Sequence, residues 1–308
     1  VESDPLKSNP GLPERSCDLT PPTRDWSLLE PEEGERRVLE GGSLLCTGIA
    51  GTGKTTYVRW IVERLRKDGK AADIISKTHT ASRRAGGVTA DHWVRRHVMH
   101  GAPKCDVLWI DEISQLDVGL WLQINKLAST MQFLLSGDFN QFSPLGNTFR
   151  GATVSESAFE LSGLLHTLGG GNKVVLTTCR RPEARLFDFY SSLIVGGVRC
   201  DLPLPEAVRQ ARFHFPDTTV ARWNLVISHQ RRIRINREYN NREAPPEAVL
   251  LEVKGKAAHG NAAQTMKLWP GIQLLGCVSS EKKGVKNGCL YTVESVGEGV
   301  VRLDSIAS

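Results

Sequence analysis

The chain has 308 residues and a formal net charge of +5, from 39 Lys and Arg against 34 Asp and Glu. That length predicts about two domains around a sizeable core, and no apolar run reaches the roughly 18 residues that would cross a membrane. Seven scattered cysteines with no C-x-x-C pair argue against a zinc ribbon or a disulfide framework; a reducing compartment, cytosol or nucleus, is the expected setting.

In chain order, residues 1–37 are rich in proline and charge and lack sustained periodicity, which predicts a flexible N-terminal arm. The polar start shows no signal-peptide pattern, and a first residue of Val1 suggests a fragment of a longer chain. A short apolar run, SLLCT at 43–47, predicts a buried strand. It leads into GIAGTGKTT at 48–56 and then into a helical stretch with apolar residues at Tyr57, Trp60, Ile61 and Leu65. That helix is expected to stop near Lys67 and Asp68, with Gly69 as its end signal.

Strand, glycine loop and helix form the context in which a Gly-x4-Gly-Lys-Thr pattern binds phosphate. Backbone N–H groups and the positive helix end favour an anion. Gly48, Gly51, Thr52, Gly53, Lys54, Thr55 and Thr56 are therefore the candidate nucleotide-binding residues. Lys54 would reach the outer phosphates and the Thr55 hydroxyl would hold Mg2+, so ATP with magnesium is the expected cofactor pair. The competing reading is a chance glycine loop.

Further strands follow at 72–78, 107–112, 133–138 and 173–179, alternating with helical segments. The alternation predicts an α/β fold with a parallel sheet, ligands lying beyond the carboxyl ends of its strands. At one such end stand Asp111 and Glu112: the first can hold the metal that bridges phosphates, the second can deprotonate or orient a water. SGDFNQ at 136–141 places Gln141 where an amide can sense the terminal phosphate; a Gly-Asp turn closing a strand is the plainer alternative. Cys179-Arg180-Arg181-Pro182 offers an arginine for charge on the transferred phosphoryl group, against the alternative of a surface basic pair.

Taken together, these residues resemble the superfamily 1 helicases, most nearly the 5′-to-3′ DNA helicases of the Pif and RecD kind. GIAGTGKTT matches motif I, IDEIS at 110–114 motif II, and GDFNQFSP at 137–144 motif III. LTTCRRP at 176–182 resembles the motif IV region, which places the arginine finger on Arg180. Residues 78–93 resemble the strand-binding segments Ia and Ib, 225–236 a second-domain strand and helix, and the region from Gly271 a small inserted barrel. The resemblance implies a RecA-like domain over 38–180, then a partial second RecA-like domain over 181–308 with an SH3-like insertion near 260–308. It also implies Lys54, Glu112, Gln141 and Arg180 as the catalytic set, with Thr55 and Asp111 holding the metal.

The chain departs from the family pattern in two places. No glutamine precedes the phosphate loop to read adenine, and Ser308 comes before any segment like motifs V and VI. Weak unwinding by this stretch alone is the expectation.

Arg83, Arg84, Arg95 and Arg96, with Trp93 among them, are candidates for gripping a single strand through phosphates and a stacking platform. The plainer reading is a solvated basic helix with Trp93 in the core. Arg231, Arg232, Arg234 and Arg237 carry the same two readings. His92, His97 and His100 lack carboxylate or cysteine partners at ligand spacing, which argues against a metal site. The partner expected is single-stranded nucleic acid, DNA before RNA, with no membrane; oligomeric state is left open. A nucleotide-binding regulator without turnover and a viral-type RNA helicase are the alternatives.

Overall fold

The computed structural model describes residues 25–144, 146–149, 151–154, 159–180, 183–195, 198–199, 202–216, 223–224, 226, 228–253, 264–297 and 299–305. The first strands in chain order are β1 (Ser27–Leu28), β2 (Leu44–Thr47), β3 (Ala72–Ser76), β4 (Val88–Thr89), β5 (Val107–Asp111) and β6 (Gln132–Gly137). A small hairpin, β7 (Thr148–Phe149) with β8 (Ala152–Thr153), precedes β9 (Asn172–Val175). Seven of these form one sheet in the order β1-β9-β2-β6-β5-β3-β4, every pairing parallel. The fold is α/β, as the alternation predicts.

Helices α1 (Pro31–Leu39), α2 (Lys54–Lys67) and α3 (His79–Ala85) pack their apolar residues on one face of the sheet, α4 (Ala90–Val94), α5 (Val118–Ile124) and α6 (Gly163–Leu168) on the other. Alternate residues of a strand point to opposite faces. In β5, Val107 and Trp109 join the first cluster while Leu108 and Ile110 join the second. Both faces are covered, so the strand reads as an unbroken apolar run rather than an alternating one.

Two details depart from the sequence reading. The arm expected over 1–37 holds β1 and most of α1: Ser27 and Leu28 pair with Asn172 and Lys173, and Tyr57 Oη donates to Pro31 O (2.6 Å). A two-residue strand and a helix with a glycine in it are too short and too polar to show periodicity, yet they close one edge of the sheet. Residues 1–24 lie outside the described residues. The buried stripe of α2 is Val58, Ile61, Val62 and Leu65. Tyr57 is half-buried against the same cluster, whereas Trp60 lies outside under the Arg64 guanidinium. The end of α2 is as read, with Gly69 at φ 84° after the Asp68 cap.

Beyond residue 183 come α7 (Ala184–Ser192), the hairpin β10 (Ile194–Val195) with β11 (Val198–Arg199), α8 (Leu204–His214) and α9 (His229–Glu243). Strands β12 (Val249–Leu251) and β13 (Met266–Leu268) pair with each other, and β14 (Gln273–Leu275), β15 (Leu290–Gly297) and β16 (Val300–Ser305) form a three-stranded antiparallel sheet. That sheet occupies the region where the small barrel was expected. Its loop rests on α3: Thr80 Oγ1 donates to Gly288 O (2.9 Å). Of the second-domain strand and helix expected over 225–236, Leu225 and Ile227 lie outside the described residues, and the helix is α9.

Candidate functional site

The candidate residues meet at the carboxyl ends of β2, β5 and β6, because the parallel register aligns those ends. Thr47 stands beside Gly137, and Asp111 is level with Ser136 and Ser76. The loop after β2 turns tightly at Gly48, at φ 151°, where a Cβ would lie 2.3 Å from Leu176 O. No other residue fits so close to a neighbouring backbone. Gly53, in the left-handed region, passes the chain into α2, which begins at Lys54.

Lys54 is buried, and its Nζ donates to the carbonyl oxygens of Gly48 (2.7 Å) and Ile49 (3.1 Å). Burial pulls its pKa below the usual lysine value, against the pull of Asp138, Glu112 and Asp111. Thr52 Oγ1 donates to Ile49 O (2.9 Å) and closes the loop on itself, while Thr56 is exposed in the first turn of α2.

Thr55 Oγ1 donates to Asp111 Oδ2 (3.2 Å), and Ser136 Oγ donates to the other carboxylate oxygen (2.6 Å). Trp109 Nε1 in turn donates to Ser136 Oγ (2.8 Å). Trp109 and Asp111 share a strand face, so this chain of bonds fixes the carboxylate beside the start of α2. Hydroxyl and carboxylate oxygens are the donors Mg2+ takes, and here one of each sits side by side. These residues fit the ion.

Glu112 follows at φ 55°, the one non-glycine residue with positive φ among those described. Such a conformation costs about 1–2 kcal/mol and points to functional constraint rather than folding preference. Its Oε2 is buried with no hydrogen-bond partner among the described residues. Burial, reinforced by Asp111, raises its pKa above the usual glutamate value. Gln141 is held at the end of β6, its N–H donating to Asp138 O (3.1 Å) and its Nε2 to Asp138 Oδ2 (3.4 Å). It lines a cavity of about 340 Å³ together with Ile49, Ala50 and Tyr190.

Arg180 reaches the same loop. Its N–H donates to Gly51 O (2.9 Å), and its Cγ would lie 3.3 Å from a Cβ at Gly53. Arg181 and Pro182 lie outside the described residues. Lys54, Thr55 and Asp111 thus lie together at the start of α2, with Arg180 against the loop and Gln141 at the end of β6.

The strand-gripping candidates divide. Trp93 is 2% exposed and donates from Nε1 to Asp73 Oδ2 (2.7 Å), which makes it a core residue rather than a stacking platform. Arg84, Arg95 and Arg96 are exposed and Arg83 is half-buried. On α9, Arg231, Arg234 and Arg237 are exposed and Arg232 is half-buried. Among the described residues no group of three or more His, Cys, Asp or Glu able to hold a metal ion occurs, at the three histidines or elsewhere.

Sequence reasoning missed three residues. Ser136 is the lone hydroxyl in an apolar strand, and that is the signal that could have found it. Lys77, at the end of β3, donates to Asp117 (2.8 Å) and Asp91 (3.1 Å) and so ties α4 to the cap of α5. Burial opposes its charge, but those two hydrogen bonds prevail and raise its pKa. Tyr190 is brought to the loop by tertiary structure alone.

Comparisons with known proteins bear on the fold. Residues 35–164 match the family model of an AAA domain. The ATP-dependent DNA helicase PIF1 of Candida albicans is 30% identical over 145 residues, which are 38% of this chain and 16% of that protein. The protein of the same name from Rattus norvegicus is 27% identical over 173 residues, 47% of this chain and 27% of that one. The chain therefore spans only a small part of the length of these curated relatives. A Pif1 helicase from Bacteroides, in complex with ADP-AlF3 and ssDNA, superposes with a TM-score of 0.58 at 18% identity, over 89% of this chain and 72% of that one. At that identity the likeness speaks for the fold. The resemblance read from the motifs is borne out as a Pif1-like one.

Proposed function

We propose that this chain is the nucleotide-hydrolysing part of an ATP-driven helicase or translocase acting on single-stranded DNA. The observation that carries the reading is the glycine loop between β2 and α2, with Lys54 folded onto it, Thr55 bonded to Asp111, and Arg180 packed beside Gly53. The loop amides and Lys54 bind the phosphates, and Thr55 with Asp111 holds the metal. Magnesium, when bound, neutralises charge on the outer phosphates. Glu112 takes a proton from the attacking water; its raised pKa suits a base that must work near neutrality. Gln141 contacts the terminal phosphate, and Arg180 stabilises charge that develops as it leaves.

In this reading residues 38–180 are a RecA-like domain, extended at its N-terminal edge by β1 and α1, and 181–308 are part of a second. The strand runs over the exposed arginines that follow β3. DNA is favoured over RNA because the similar proteins are DNA helicases, and a cytoplasmic or nuclear setting follows from that substrate. A regulator without turnover is disfavoured, since such a protein has no need of both Glu112 and Gln141 at the phosphates.

The test is ATP hydrolysis with and without single-stranded oligonucleotides, DNA against RNA, with Lys54→Ala as the blank. Hydrolysis should rise with DNA, rise less with RNA and vanish in Lys54→Ala. Turnover equal to the blank under every condition would remove the enzymatic reading.

A further inference from the structure

The phosphate loop is held from outside by the segment that follows β9. Leu176 N–H donates to Thr47 O (2.8 Å), and Arg180 N–H donates to Gly51 O (2.9 Å). The hydroxyl of Tyr190, on α7, donates to Ala50 O between them. Tyr190 belongs to none of the motifs. Its ring is set edge-on against Phe187 (centroids 5.4 Å apart), the buried residue of α7.

The peptide joining Ala50 and Gly51 is trans and planar, so its C=O and N–H point in opposite directions. With the carbonyl tied to α7, the Gly51 N–H faces away from α7. A phosphate cradle works by presenting such N–H groups to anionic oxygens. A loop free to rotate this peptide can present the carbonyl instead, which repels them.

We propose that Tyr190 is a positioning residue for the triphosphate, its hydroxyl anchoring the Ala50 carbonyl so that the Gly51 N–H is presented to a phosphate oxygen. The proposal rests on the nucleotide reading of the loop. Tyr190 also borders the cavity of about 340 Å³ that Gln141 and Ala50 line. Because α7 follows Arg180 directly, one hydrogen bond links the shape of the loop to the segment that carries the arginine.

Tyr190→Phe removes the hydroxyl and keeps the ring against Phe187. Titration with a fluorescent ADP and Mg2+, and steady-state ATP hydrolysis, should be measured well below each variant's unfolding midpoint. The nucleotide Kd and the KM for ATP should rise about 3- to 10-fold, the range one hydrogen bond supports, with kcat within about twofold. Tripolyphosphate, competing against the fluorescent nucleotide, should weaken by the same factor, since the effect acts on phosphate. A general loosening of the fold would lower kcat as well and would not follow the phosphate.

An unchanged Kd in Tyr190→Phe overturns the proposal, as does a fall in kcat with KM unmoved. Lys54→Ala separates the two levels. If it binds nucleotide as tightly as the parent, the nucleotide reading itself fails. If it loses binding while Tyr190→Phe does not, only the role of Tyr190 fails.

Discussion

At the scale of single residues, the cleft opposes two buried charges of unlike sign whose pKa values move toward each other. Burial raises Glu112 and lowers Lys54. For the free enzyme, kcat/KM should therefore fall at its acid limb above the ordinary glutamate value of about 4.3, and at its alkaline limb below the ordinary lysine value of about 10.4. The linkage has a definite sign. The native state holds the Glu112 proton more tightly than the unfolded chain, so this group favours folding below its ordinary pKa. That contribution is lost as pH rises through the raised value. Glu112→Gln should consequently cut kcat about 100-fold or more and keep nucleotide affinity. It should also raise the unfolding midpoint at neutral pH while leaving it unchanged near about pH 4, where the parent carboxyl is itself protonated. A lower midpoint at neutral pH would contradict the assigned cost of the buried charge. The places of Lys54, Asp111, Glu112 and Gln141 beyond strand ends were legible in the sequence because each follows an unbroken apolar run. Ser136 and Tyr190 were not, since one is brought in by strand register and the other by the packing of a distant helix.

At the scale of elements, the continuous apolar strands were legible because both sheet faces are covered, and β5 is buried along its whole length. Trp93 shows the limit: an aromatic among arginines fits a stacking platform and a core equally well in sequence, and only the bond to Asp73 decides. Helix α1 shows another. Its Gly34 lowers helix propensity, and the structure gives the reason: a Cβ there would lie 2.6 Å from Val174 Cγ2 and 3.0 Å from Tyr57 Oη. Neither neighbour can retreat, because Val174 is fully buried and the Tyr57 hydroxyl is bonded to Pro31 O. Gly34→Ala gains about 1 kcal/mol of propensity but meets about 1–3 kcal/mol of overpacking, so the net effect should be a lower unfolding midpoint by calorimetry. A higher midpoint would mean that α1 does not pack on the sheet as described.

At the scale of the whole molecule, the nucleotide cleft and the exposed arginines share one foundation. Ser76, the last residue of β3, is level with Asp111 of β5. Lys77 and α3 follow at once, and the C-terminal sheet rests on α3. A shift at the phosphates thus has a short path, through adjacent strand ends, to the surface proposed to hold the strand. The second half was less legible than the first. Strands β10 to β14 are only two or three residues long, β12 is exposed along its length, and β12 pairs with β13 across an intervening stretch of chain. Such pairings leave no local pattern.

With that path between them, nucleotide state and strand grip should be coupled. The most direct measurement is the affinity of this chain for a fluorescent single-stranded oligo(dT), compared between saturating ADP and a non-hydrolysable ATP analogue with Mg2+. The two Kd values should differ by about 5-fold or more, the usual range of coupling between two sites, with the difference abolished in Lys54→Ala. Equal affinities in the two nucleotide states would contradict it.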